Sequence, residues 1–158
     1  MSKCLNRVRR VLEAAGLAAD IVETGAETRT AEQAARAAGC ETDQIAKSII
    51  FRGLTRGHVV LFITAGGNQV DPDRASAVAG ESLGKADADL IRAETGFAIG
   101  GVAPLGHLNP VTAFFDPRLL DFEQVWAAAG TPRHIFAIAP PKLLALSGAK
   151  LAAFTACA

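Results

Sequence analysis

Three cysteines, Cys4, Cys40 and Cys157, lie far apart, and no C-x-x-C pair occurs among them. So odd and scattered a set provides neither a zinc site nor a disulfide framework, and plain thiols in a reducing cytoplasm are expected. Charge of one sign is also lacking, since 16 Lys and Arg balance 16 Asp and Glu. That balance argues against a protein that coats nucleic acid through a basic surface. It leaves room for recognition of one nucleotide end by one or two cations. The charged N-terminus has no apolar h-region, so no secretory signal is expected. Residues Phe97 to Phe115 carry no formal charge, yet Gly100, Gly101, Pro104, Gly106 and Pro110 interrupt them. Those breakers predict loop and strand rather than a membrane span. A G-x-x-x-x-G-K-[ST] phosphate loop, a G-x-S-x-G elbow, internal repeats and low-complexity linkers are all missing. What remains is a chain of 158 residues, half hydrophobic and one-fifth charged. Such a composition fits a single globular domain over residues 1–158.

The organising stretch is Gln44-Ile45-Ala46-Lys47-Ser48-Ile49-Ile50-Phe51. Its β-branched and aromatic residues, followed by a turn-rich segment, predict a core strand. Alternation puts Ile45, Lys47, Ile49 and Phe51 on one face and Ala46, Ser48 and Ile50 on the other. Lys47 therefore shares a face with three large apolar side chains. Two readings stand open. It is an edge-strand lysine that snorkels to water, or a half-buried ammonium that meets an anion. If Thr42 or Asp43 caps a short helical turn, Lys47 falls at a helix-to-strand junction.

Around that strand the pattern is one of short elements. Leu5, Val8, Leu12 and Ala15 predict an amphipathic helix stopped by Gly16, with Arg7, Arg9 and Arg10 turned outward. Ala19 to Glu23 reads as a short strand. Thr30 and Gln33 form a capping box for an Ala-rich helix that Gly39 ends. His58 to Thr64 is an apolar strand antiparallel to the first, and Gly66-Gly67 is a turn. Asp71-Pro72 opens a helix to Ala79, and Ala86 to Glu94 reads as another, with Asp87 as cap and Gly96 as its end. Val111 to Phe115 reads as a strand closed by Asp116-Pro117. Phe122 to Ala129 reads as a helix with Trp126 in the core. His134 to Ala139 is the last strand, and Pro140 opens a final helix before a frayed helical tail. The implied class is α+β, a mixed, partly closed, barrel-like β-sheet surrounded by short helices.

The other distinctive stretch is Phe97-Ala98-Ile99-Gly100-Gly101-Val102-Ala103-Pro104-Leu105-Gly106-His107. Paired glycines allow close approach of a ligand to the backbone and leave amides to meet an anion or carbonyl. Pro104 has no N–H and stiffens the exit. A tight turn is the plain alternative. His107 follows the loop and is a candidate for substrate contact, whereas His58 reads as structural or exposed. No spacing joins the three histidines into a metal site.

Gln44–Ser48, Gly100–Gly106 and Arg133-His134-Ile135-Phe136-Ala137-Ile138 together resemble the YbaK/prolyl-tRNA synthetase-associated domain family, in order and in spacing. The likeness spans nearly the whole chain. These are editing deacylases that hydrolyse mischarged tRNA. The resemblance implies Lys47 as the essential strand lysine and Gly100 to Pro104 as the G-x-x-x-P loop that cradles the aminoacyl end. In the alanine-editing branch a histidine before the final strand helps set pocket size, and His134 looks like its counterpart. The site implied has Lys47, Gly100 and Gly101 in catalytic places. Ser48, Ile49, Val102, Pro104, His107 and His134 would contact substrate. The implied reaction is trans-editing of a small amino acid, alanine or cysteine, on proline tRNA, with no metal or cofactor. The partners are the tRNA acceptor end and prolyl-tRNA synthetase. A different class of function is a non-catalytic module that binds the tRNA end or the synthetase.

Chemically the reading is coherent. A synthetase built for proline discriminates poorly against smaller amino acids, because a missing methylene is worth only about 1–3 kcal/mol. An aminoacyl ester is already activated, so positioned water and a donor at the carbonyl suffice. Lys47 either fixes the terminal adenosine or acts as a base through a lowered pKa.

Overall fold

The computed structural model describes residues 2–18 and 20–156. Among them are five α-helices and eight strands in two sheets. Helix α1 (Lys3–Ala14) is capped by Ser2 and buries Leu5, Val8 and Leu12. Strand β1 (Ile21–Glu23) leads to α2 (Ala31–Ala38), where Thr30 and Gln33 form the reciprocal capping box. After a 3-10 turn over Thr42–Gln44 come β2 (Ala46–Gly53) and β3 (Val59–Ala65). They pair antiparallel, with Lys47 opposite Thr64 and Ile49 opposite Phe62.

Next in the chain are α3 (Pro72–Ala79), β4 (Leu83–Lys85), α4 (Ala88–Thr95) and β5 (Thr112–Phe115). Strands β6 (Val125–Ala128) and β7 (His134–Ile138) precede α5 (Pro140–Ser147) and β8 (Lys150–Leu151). The larger sheet runs β4-β2-β3-β5-β8, with β5 parallel to both β3 and β8. The smaller is the antiparallel set β1-β7-β6.

Strand β3 is buried along its whole length, as its apolar sequence requires. One side of it feeds Leu61 and Ile63 into the main core with Ala46, Phe115, Val125, Phe136 and the inner face of α1. Its other side packs Val60 and Phe62 against Phe114, Phe154 and the small residues Ala75 and Ala79 of α3.

The sequence-based expectations need three corrections here. Two open sheets replace the single barrel-like one, and an isolated parallel bridge between Ile45 and Trp126 joins their edges. Residues 122–129 do not form a helix. Val125 and Ala127 are buried on alternate positions of β6, a two-residue period that Phe122 and Trp126 mask. Over residues 149–156 the tail is not a frayed helix either, and its last two residues, 157–158, lie outside the described ones. Lys150 and Leu151 pair with β5, Thr155 bridges to Val70, and Phe154 is fully buried. Strand β4, which the sequence reading missed, holds the free edge of β2.

Candidate active site

Strand β2 brings Lys47 to the mouth of a cavity of about 720 Å³. Its walls come from the start of β2 (Ile45 to Ile50), from the segment Thr28–Glu32 at the head of α2, from Ile99, Gly100 and Val102, and from Trp126 to Ala128 on β6. Lys47 is half-buried, and its Nζ donates a hydrogen bond to the carbonyl oxygen of Gly66, 3.1 Å away. Burial pushes its pKa below the ordinary 10.5, while Glu32, Asp116 and Asp43 pull the other way. An ammonium has three protons, so one bond to Gly66 leaves donors for a ligand. Beside it the Ser48 Oγ is buried and has no hydrogen-bond partner among the described residues. The residue borders the cavity, but the hydroxyl itself is closed off from it.

Close packing fixes the turn that anchors Lys47. Asp43 accepts from the Gly67 amide, and Asp116 accepts from Ala65 N–H and the Asn68 side chain. A Cβ on Gly66 would lie 2.2 Å from the Thr42 carbonyl oxygen, so only glycine fits there. Lys47 is thus tied to the turn rather than swinging in solvent, while β4 covers that strand edge only from Phe51 to Gly53.

The glycine stretch contributes Ile99, Gly100 and Val102 to the wall, and Arg7 holds the stretch in place. Arg7 spans its two ends, with Nε 2.7 Å from the Gly106 oxygen, Nη2 2.9 Å from the Gly96 oxygen and the guanidinium 4.6 Å above the Phe97 ring. Arg7 is therefore turned inward, contrary to the outward face expected for it. A long side chain on a helix edge reaches acceptors that local periodicity does not display. Gly100 has φ +91°, a conformation open to glycine, and Gly101 N–H donates to the Ala98 oxygen in a turn. The Gly101 amide is accordingly occupied, and the Gly100 amide has no acceptor among the described residues.

The sequence candidates fall into two groups. Lys47, Ser48, Ile49, Gly100 and Val102 line the cavity; Gly101, Pro104, His107 and His134 do not. Pro104 is buried inside the loop. His107 Nε2 lies 2.8 Å from the Ala103 oxygen, which can only accept, so that nitrogen carries the proton. Burial lowers the His107 pKa, the bond to Ala103 opposes this, and Arg7 adds to the lowering. His134 Nδ1 sits 2.6 Å from Thr131 Oγ1. The Thr131 backbone in turn backs Gly101, where an added Cβ would come within 2.8 Å of the Thr131 Cα. Both histidines thus brace the loop rather than face the cavity. His58 is exposed and pairs with Glu94 at 3.2 Å.

Two wall residues escaped the sequence reading. Trp126, assigned to the core, is only half-buried and lines the cavity. Arg29 reaches the rim, and the sequence shows no periodicity or motif that marks it. Among the described residues no group of three His, Cys, Asp or Glu side chains is placed to hold a metal ion, and no helix is long and apolar enough to cross a membrane.

A half-buried cation and a glycine bend that line one cavity define a small-ligand site on an α+β frame. The comparisons with known proteins make the class specific. The aminoacyl-tRNA editing domain family matches residues 25–146, and the chain belongs to that family. The protein YwhH of Bacillus subtilis (strain 168), itself uncharacterised, is 30% identical over 132 residues, which are 84% of this chain and 83% of that one. A crystal structure described as a "putative trans-editing enzyme for prolyl tRNA synthetase" is 43% identical, with a TM-score of 0.90 over 99% of both chains. A structure from work on grafting epitopes onto scaffold proteins superposes equally well, at 41% identity, TM-score 0.90 and full coverage of both chains.

Proposed function

We propose that this protein is a trans-editing deacylase that removes a small amino acid, alanine or cysteine, from mischarged proline tRNA in the cytoplasm. The observation that carries the reading is that Lys47 and Gly100, from distant parts of the chain, wall one cavity. Its volume of about 720 Å³ suits an aminoacyl nucleoside better than a free amino acid.

In this reading Lys47, held by Gly66, hydrogen-bonds the terminal ribose and fixes the ester. The Gly100 N–H polarises the ester carbonyl, a donor aimed at the oxygen that gains charge as water attacks. Ile49 and Val102 exclude larger side chains. Water adds to the carbonyl carbon, the bond to the ribose oxygen breaks, and that oxygen takes up a proton. The substrate's own ribose hydroxyl or amino group activates the water, so the protein need supply no nucleophile. Prolyl-tRNA synthetase, as a partner, would deliver the tRNA that a chain of zero net charge holds weakly by itself.

Release of labelled alanine from mischarged proline tRNA, wild type against Lys47→Ala, tests this. Release by the wild type and its loss in the variant support the reading. Equal release removes Lys47 from the reaction, and no release from either, with cysteine as well as alanine, leaves a module that binds the tRNA end without turnover.

A further inference from the structure

Arg29 lines the same cavity as Lys47, from the strap between β1 and α2. Thr28 anchors the strap on both sides of its backbone and side chain, its N–H and Oγ1 donating to the Pro132 oxygen at 2.7 and 3.1 Å. Arg29 Nε donates to Glu27 Oε2 at 2.8 Å. The guanidinium then lies against Gly100, so close that a Cβ there would fall 2.6 Å from Nη1. Glu27 thus fixes one edge of the fork and the bare glycine supports it from below. The terminal nitrogens Nη1 and Nη2 donate to no protein acceptor among the described residues. Two aligned donors on a planar cation match the geometry of a phosphate. The charged residues lining the cavity are Arg29, Lys47 and Glu32, and Glu27 just outside it pairs with Arg29.

We infer that Arg29 is the phosphate-binding residue of this site and takes the phosphate of the substrate's terminal nucleotide. The inference rests on the tRNA-end reading above and divides the labour within it, leaving Lys47 to the ribose and the ester.

The test is equilibrium binding of a fluorescently labelled, uncharged short RNA ending in the tRNA 3′ sequence, over a salt series. Wild type is compared with Arg29→Met, which keeps an unbranched stem without the guanidinium, and with Arg29→Lys. Arg29→Met is expected to bind on the order of tenfold more weakly. Its plot of log K against log salt should be shallower by about 0.7, the share of one single-strand phosphate. Arg29→Lys should retain the wild-type slope. An unchanged slope in Arg29→Met, loss of slope in Arg29→Lys as well, or no binding by the wild type overturns the inference. Deacylation measured in parallel separates the two claims. Turnover with an unchanged slope defeats the phosphate contact alone, and a changed slope without turnover defeats the enzymatic reading alone.

Discussion

The ammonium of Lys47 is bonded at 3.1 Å to the carbonyl of Gly66, the residue just past the strand that pairs with its own. The turn therefore sets where the cation points. Gly66→Ala puts a methyl 2.2 Å from the Thr42 oxygen and 2.9 Å from the Ala31 Cβ, and the backbone must give way. Overpacking of this kind costs about 1–3 kcal/mol. We expect a matching fall in unfolding free energy by urea titration and a larger fall in kcat than in KM. A variant that keeps wild-type kcat would show that the anchor is dispensable.

The lowered pKa of Lys47 gives the two roles open to it opposite signs. As a cation that holds the ester, Lys47 works while protonated, so kcat/KM should fall as pH rises through a value below 10.5. As a neutral base it would make the same profile rise. We expect the falling limb, after subtraction of the uncatalysed hydrolysis, and its disappearance in Lys47→Arg, whose charge does not titrate in that range.

Arg7 closes the ends of the glycine stretch through two carbonyls and the Phe97 ring. Charge-assisted hydrogen bonds of this kind contribute about 1.5–3 kcal/mol each when partly shielded. Arg7→Met keeps the stem but leaves the Gly96 and Gly106 oxygens short of a donor. Expected are a loss of about 2–4 kcal/mol in unfolding free energy and faster amide exchange confined to residues 96–107. Exchange that quickens evenly over the whole chain would refute the clamp.

What the sequence displayed and what it hid divide by range. Thr30 with Gln33 and Asp71 with Pro72 state their helix starts within four residues, and both starts are as expected; Asp87 is the expected cap, though the helix expected from Ala86 begins at Ala88. Lys47 and the glycine loop were legible because a charge in an apolar strand and paired glycines are locally costly. The β6 segment was not, since Phe122 and Trp126 mimic helical spacing and only pairing with β7 settles the period. Phe154 is buried by contacts with residues some forty and ninety positions back, Phe114 and Phe62. Arg7 and Arg29 escaped for the same reason. Their partners across the fold, Gly96, Gly106 and Gly100, are contacts that only the folded chain brings together.

His107 should make the fold acid-sensitive. The partly buried imidazole resists its proton more than the unfolded one does, so in acid the unfolded chain binds more protons. Stability is then full above the ordinary value of 6.5, declines as pH falls from there to the lowered value, and levels off beneath it. His107→Gln keeps a side-chain N–H for the Ala103 oxygen and cannot titrate. Urea unfolding between pH 5 and 7.5 should show a smaller acid loss in the variant than in the wild type, and parallel curves would remove His107 from the pH dependence.

The paired glycines should respond differently to the same methyl group. At Gly101 a Cβ meets the Thr131 backbone at 2.8 to 3.1 Å, and backbone does not step aside. Gly101→Ala must therefore push the loop off the Thr131–His134 brace, with a cost of about 1–3 kcal/mol in unfolding free energy. At Gly100 the nearest atom is Arg29 Nη1, the far end of a flexible side chain, but φ is +91°. Backbone strain there costs about 1–2 kcal/mol, and the displaced guanidinium leaves its seat. If the loop amide and Arg29 both serve the substrate, Gly100→Ala lowers kcat/KM by more than its stability loss explains, and it flattens the salt dependence as Arg29→Met does. In Gly101→Ala the fall in activity should instead track the fraction unfolded, and stabilising osmolyte should restore it. A Gly100→Ala enzyme that osmolyte restores as fully as Gly101→Ala would mean that both glycines serve packing alone.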